Sequence, residues 1–428
     1  MRAAERFDVI VAGGGSAGAA AACAAARRGA RTLLIEQGGC LGGAATLRGV
    51  LTYCGLYTLG EAPRPAVAGI AAEVIAGLRR LDAVTQPVRH RGVFVAFDPE
   101  AVKLVLDGIC AASGVTVRLH AHLIGAVREG GRIARVAWAD HGGTHEVAAA
   151  AFVDATGEAD LAFLAGAATR YGNDGAVNLG TLATRFGGIP ADVRVTAEQV
   201  TAAVQAARAR GIGPFSKDRS VIVRLPGSFD LACYLASVAH DARDADSLTR
   251  AETQGRAQAW AYLAAIRTIP GCERAWLVAT GPAFGTRESR HVASLRPLLW
   301  SDVTAGRRAA DCVALGAWGA EWHDAADFSS SFAYAPERGA FDIPLSCLCS
   351  ADTDNLFAAG RIADGDRLAG AAIRVMGTAF ATGQAAGVAA TLRAQEGRVD
   401  AADVRRVLLA QGALLDADAL PPPVAITG

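Results

Sequence analysis

Six residues early in the chain, Gly13-Gly14-Gly15-Ser16-Ala17-Gly18, form the pattern G-x-G-x-x-G. The three glycines have separate tasks. Gly13 suits a tight turn, Gly15 lets a pyrophosphate approach the backbone, and Gly18 lets a following helix pack closely on its strand. The run before them, Asp8 to Ala12, is β-branched and reads as a buried parallel strand. The run after them, Ala19 to Arg28, favours a helix that Gly29 closes. A second apolar run from Arg31 to Glu36 completes one βαβ unit and puts the Glu36 carboxylate where ribose hydroxyls would lie. The free N–H groups and partial positive charge of the helix N-terminus then complete an anion cradle. The glycine pattern alone is weak. With a strand before it, a helix behind it and an acid at the next strand end, it is a strong sign of dinucleotide binding.

The elements that must position this cradle follow along the chain. Residues 37–59 are glycine-rich and irregular, and include Cys40-Leu41-Gly42-Gly43-Ala44-Ala45-Thr46. Helices are predicted over 66–81 and 98–113, the second with Asp98-Pro99 as cap and first turn. Alternation with glycine turns over 115–147 reads as a β-meander. Residues 149–154 read as a buried strand running into Ala155-Thr156-Gly157. Composition then shifts towards Trp and Arg, with a long helix over 249–269. A further strand leads into Gly360, and 375–393 reads as a small-residue helix in which Gly377, Gly383 and Gly387 permit close packing. A last helix is predicted over 401–411. The expected fold is α/β: a Rossmann-like FAD/NAD(P)-binding fold with a β-meander and an inserted substrate domain. The boundaries are 1–165 for the first part of the nucleotide-binding domain, 166–337 for the insertion, and 338–428 for the second part with its C-terminal helix.

Several features favour FAD over NAD. The motif falls in the first eighteen residues, a glycine loop follows Glu36, a meander precedes the third core strand, and Ala358-Ala359-Gly360-Arg361 and Gly377-Thr378 close the site from the far end of the chain. Four stretches together carry a resemblance: GGGSAG with Glu36 and CLGGAAT, residues 153–161 (VDATGEADL), residues 285–290 (GTRESR), and NLFAAGR with RVMGTAFATGQAAG between 355 and 387. The chain resembles the FAD-dependent oxidoreductases with a glutathione-reductase-like FAD domain, and more narrowly the fumarate-reductase-like flavoproteins of unassigned substrate. The resemblance implies that Gly13, Gly15, Ser16 and Ala17 contact the pyrophosphate and Glu36, with Gln37 beside it, the adenosine ribose. It implies that Gly42, Gly43 and Thr46 lie along the pyrophosphate and flavin, and that Val127 makes an adenine-side contact. Ala155, Thr156 and Gly157 would pass near the adenosine half, and Gly360 and Arg361 would meet the ribityl chain. The helix beginning near Gly377-Thr378 would aim its positive end at the flavin. Glu158-Ala159-Asp160 and the acidic run 362–367 depart from the family pattern and leave the substrate wall open.

Flavin performs the hydride chemistry, so the protein supplies orientation and proton-handling groups. Arg287, Arg290 and His291 sit in one short stretch. An arginine there can anchor a substrate carboxylate and a histidine can move a proton. The same residues also suit a structural ion-pair cluster between domains. His323 is a second acid–base candidate, where the family pattern also has a histidine, and it also suits a capping position. Cys40 and Cys54 fall in the flavin-side region, as covalent attachment points or as ordinary buried thiols.

Bulk properties narrow the function classes. Acids and bases balance at 42 each over 428 residues, which argues against a nucleic-acid surface. The chain has nine scattered cysteines and no Cys-x-x-Cys spacing, so neither a zinc site nor a redox dithiol is expected. The opening residues do not read as a secretory signal, and no stretch is long enough for a membrane span; the expected location is cytoplasmic. A second G-x-G-x-x-G is missing, which disfavours a separate NAD(P)H domain. The expected activity is an FAD-dependent dehydrogenase or oxidase that takes hydride from a small polar, carboxylate-bearing metabolite and passes electrons to an unknown acceptor. The alternatives are a flavin reductase or monooxygenase supplied by NAD(P)H or a partner, and a non-catalytic electron-transfer or redox-sensing flavoprotein. The composition leaves room for a homo-oligomer.

Overall fold

The computed structural model describes residues 5–426. β1 (Arg6–Ala12), α1 (Ser16–Arg27) and β2 (Thr32–Ile35) form the βαβ unit, with β1 and β2 parallel from the Val9–Thr32 pair to the Ala12–Ile35 pair. The main sheet extends from strand Thr116–Arg118 through β2 and β1 to Gly143–Asp154. Leu356–Ala358 adds in parallel to this last strand, while Arg132–Asp140 and His122–Glu129 add antiparallel. The meander and the third core strand, expected as two elements, are joined in one twelve-residue strand, Gly143–Asp154. Its first half is exposed and pairs within the meander; its second half is buried and parallel to β1. The polarity of the sequence changes at that point, but the backbone does not turn.

Helix Pro99–Ala112 starts as expected, with the Asp98 carboxylate accepting from the amides of Glu100 and Ala101. Every residue of α1 from Ser16 to Ala25 is buried, because the long helix Met376–Glu396 lies against it. A Cβ on Gly383 would come within 2.1 Å of the Ala17 carbonyl oxygen, and one on Gly387 within 2.1 Å of the Ala21 carbonyl oxygen. The two backbones therefore touch at a four-residue interval on both helices, which only small residues allow. This contact ties the far end of the chain to the glycine cradle.

A second sheet was not legible in the sequence. Strands Ile222–Arg224, Leu231–Ser237, Thr181–Gly187 and Trp276–Thr280 form an antiparallel sheet in that order. Helix Ala245–Ile266 packs on it, and helix Ala197–Ala209 packs on that helix. Its apolar core runs from Leu182 to Phe284, a narrower span than 166–337; residues from Leu298 to Leu348 join the core of the main sheet instead. No helix among the described residues is long and apolar enough to cross a membrane.

Candidate active site

One cavity of about 1030 Å³ runs from the glycine cradle to the second sheet. At the cradle, Gly13 has φ +93°, and a Cβ there would lie 2.4 Å from the Ala155 carbonyl oxygen. A Cβ on Gly18 would lie 1.7 Å from the Gly13 carbonyl oxygen. These two glycines serve the turn and the helix packing. Gly15 differs: it is the N-cap of α1 with φ −68°, and a Cβ there would meet only the Gly43 Cα, at 3.8 Å. That Cβ would occupy open cavity. Ser16 Oγ is buried with no hydrogen-bond partner, and no side chain caps α1. The Glu36 carboxylate accepts from the amides of Gly14 and Gly38, both at 2.6 Å, and still lines the cavity.

Gln37, Gly43, Ala17, Ala155, Thr156 and Gly157 also line the cradle. The last three are held by Asp154, whose carboxylate accepts from the Thr156 amide and hydroxyl and from the Ala162 amide. Burial outweighs those bonds and pushes the Asp154 carboxyl up to about 6. On the opposite wall stand Gly360 and Arg361. Arg361 pairs with Glu158, and its Nη1 is left without a partner. The helix Met376–Glu396 has no side-chain cap and presents Val375, Met376 and Ala379 to the cavity.

Several expected contacts are corrected by position. Gly42 donates its amide to the Gly14 carbonyl, Thr46 Oγ1 donates to the Leu41 carbonyl, and neither lines the cavity. Val127 pairs with Arg135 inside the meander, away from the cavity. Gly377 packs on the Cys54–Leu56 segment, where a Cβ would meet the Cys54 carbonyl oxygen at 2.5 Å. Thr378 is fully buried beside Gly55, its hydroxyl unpartnered. Cys54 does line the cavity, but burial pushes its thiol up to about 12, which leaves it a poor nucleophile at neutral pH; Cys40 does not line it.

The stretch 287–291 divides. Arg290 reaches Asp160 at 3.3 Å and lies over the Phe163 ring, and His291 bonds the Ala363 carbonyl and Glu288 at 3.0 and 2.9 Å while only 1% exposed. Neither side chain lines the cavity, so both hold the main sheet to its neighbours. Arg287 alone points the other way. It is half-buried, lines the cavity, and among the described residues donates only to the Leu179 carbonyl and Thr181 Oγ1. Burial, and then the nearby Arg374 charge, push its guanidinium down to about 10.

Around Arg287 the cavity gathers residues from separate segments: Lys217, Tyr234, Glu321, His323 and Arg374. Glu321 is the acid of this group, 3.9 Å from Arg374 and 3.6 Å from His323. His323 Nδ1 is buried without a partner. Burial, followed by the charges of Arg287, Lys217 and Arg374, holds the His323 imidazole well below its ordinary range and therefore neutral. Lys217 and Arg374 were not singled out from sequence. Arg374 stands two residues before the long helix, a position that could have flagged it. Lys217 has a fainter signal: only two of the 42 basic residues are lysines.

The residue pattern of the family described as FAD dependent oxidoreductase matches residues 8–411 of the chain. The chain belongs to that family. None of the curated proteins compared with it matches. Among solved structures, a geranylgeranyl bacteriochlorophyll reductase-like protein from Thermoplasma acidophilum superposes with a TM-score of 0.50 at 13% identity, over 96% of this chain and 85% of that one. The myxobacterial chondrochloren halogenase superposes at 0.48 and 17%, over 95% and 78%. The p-nitrophenol 4-monooxygenase of Pseudomonas putida superposes at 0.48 and 10%, over 95% and 84%. At these identities the likeness speaks to the fold alone.

The enzyme's cradle fits FAD by its own chemistry. The open space at Gly15, the unpartnered Ser16 hydroxyl and the uncapped N-terminus of α1 suit a diphosphate, and Glu36 suits a ribose. Bound there, FAD would supply the hydride-transfer chemistry.

Proposed function

We propose that the enzyme oxidises a small polar metabolite bearing a carboxylate, which Arg287 binds at the second-sheet end of the cavity. The observation that carries this reading is a half-buried guanidinium that faces the cavity and has no carboxylate partner among the described residues. Leaving a partly desolvated charge without a paired anion is unfavourable, and an anionic ligand offsets that cost. Arg374 and Lys217 add positive charge, with Glu321 near both and Glu288 near Arg374. A planar carboxylate matches the guanidinium fork. His323, held neutral, offers a hydrogen-bond donor and an acceptor beside the same anion without adding charge.

The test is anaerobic bleaching of the bound flavin by a panel of 2-hydroxy acids, 2-amino acids, uncharged alcohols and amines, with NADH and NADPH run alongside. Bleaching by acids but not by their esters or amides supports the reading. Bleaching by NAD(P)H alone would replace it with a reductase or monooxygenase, and bleaching by none of them would favour an electron-transfer role.

A further inference from the structure

Lys217 lies between helix Ala197–Ala209 and strand Ile222–Arg224, where the chain folds over the cavity. Its backbone is fixed from below. The buried Tyr262 hydroxyl accepts from the Lys217 amide at 3.0 Å and donates to the Lys217 carbonyl at 2.7 Å. Its side chain lines the cavity, and Nζ makes neither a hydrogen bond nor an ion pair. The charged groups near it are Arg287 and Glu321; its own neighbours Asp218 and Arg219 are occupied by Arg208 and Glu198. His323, which also feels the Lys217 charge, is neutral. The chain's other lysine, Lys103, sits at the surface on Glu100 at 2.7 Å. Lys103 and most arginines are paired with acids, so a lysine that faces a cavity without an ion pair calls for a different use.

Burial, and then the Arg287 charge, push the Lys217 amine down to about 7. Desolvation beside a second cation is a recognised way to expose an amine lone pair. We propose that Lys217 is a nucleophilic amine that condenses reversibly with the carbonyl of a 2-oxo acid whose carboxylate rests on Arg287. The Nζ lone pair attacks the carbonyl carbon and forms the C–N bond. The carbinolamine oxygen then leaves as water with the two hydrogens of the amine, and an imine remains. Nothing is oxidised or reduced, so the step stands apart from the flavin. A 2-oxo acid is also what oxidation of a 2-hydroxy or 2-amino acid yields, so the enzyme would retain its product or respond to it. The carboxylate half of the proposal rests on the reading of Arg287 above; the amine half does not.

The experiment incubates the flavin-loaded full-length enzyme with pyruvate and sodium cyanoborohydride near neutral pH, then maps lysines by peptide mass spectrometry. Cyanoborohydride delivers hydride to the imine carbon and leaves a stable carboxyethyl-lysine. The expected result is carboxyethylation of Lys217 exceeding that of Lys103 by at least about tenfold, since a lysine at its ordinary pKa is almost wholly protonated there. Lys217→Arg should remove the mark, and in wild-type enzyme pyruvamide, which keeps the ketone and lacks the negative charge, should mark Lys217 more weakly than pyruvate does. Equal marking of the two lysines overturns the proposal. Marking of Lys217 by pyruvamide as strong as by pyruvate overturns the carboxylate half and points against Arg287 as an anion site, whereas an unmarked Lys217 overturns the amine half and leaves the bleaching assay to judge Arg287 separately.

Discussion

Gly15→Ala separates cofactor binding from folding in a way the structure makes quantitative. Gly15 already has φ −68° and ψ −174°, a conformation alanine adopts without strain. The new methyl would meet only Gly43 Cα at 3.8 Å, an ordinary contact. Losing glycine reduces unfolded-chain entropy and favours the fold by about 0.4–1 kcal/mol, while alanine is a poorer N-cap by a similar amount. The flavin-free protein should therefore change by less than about 1 kcal/mol in urea unfolding. FAD binding should suffer, because the methyl stands where the diphosphate meets the helix amides. Losing one or two charge-assisted hydrogen bonds at about 1.5–3 kcal/mol each raises the FAD dissociation constant by about tenfold to about twenty-thousandfold. Flavin fluorescence titration reads this directly. Gly18→Ala is the contrast: its methyl would lie 1.7 Å from the Gly13 carbonyl oxygen, so it should fail to fold rather than fail to bind. An alanine at 15 that binds FAD within about threefold of wild type would refute the assignment of Gly15 to the phosphate cradle.

Other outcomes follow from the same geometry. Arg287→Met should retain flavin yet lose roughly tenfold to a hundredfold in the efficiency with which an acid substrate bleaches it, read by stopped-flow absorbance. Arg290→Met, which breaks the Asp160 pair and the Phe163 stacking, should lower the melting temperature while leaving bleaching by the same substrate nearly unchanged. Gly383→Val would drive a side chain into the Ala17 backbone, and should abolish soluble folded protein in circular dichroism or size-exclusion assays. Asp154 titrates higher in the folded state than in the unfolded chain, so the folded state holds its proton more tightly. Its contribution is fully present below about 3.8 and is lost as pH rises through about 6. Between those values Asp154→Asn should show a stability that falls less with rising pH than wild type does, and parallel curves would count against the buried carboxyl.

The nucleotide cradle was legible because its determinants are local. Strand, turn, helix and acid lie within about thirty residues, and each follows from backbone sterics or periodicity that neighbouring residues impose. The close-packing glycines of the 376–396 helix could be read as well, although their partners at Ala17 and Ala21 could not. The second antiparallel sheet escaped notice because its strands are short and widely separated, and Arg185, Arg224 and Trp276 interrupt the usual alternation. Sequence alone determined that the chain carries an FAD-binding cradle and which glycines shape its turn. Only the tertiary structure decided which charges face the cavity. Arg287 and His291 are four residues apart, yet one faces the cavity and the other is sealed against Glu288 and Ala363. Lys217, His323 and Arg374 come from distant segments, and burial with neighbouring charges shifts each of them downward. Those are properties of a folded neighbourhood, which residue type and spacing along a chain do not encode.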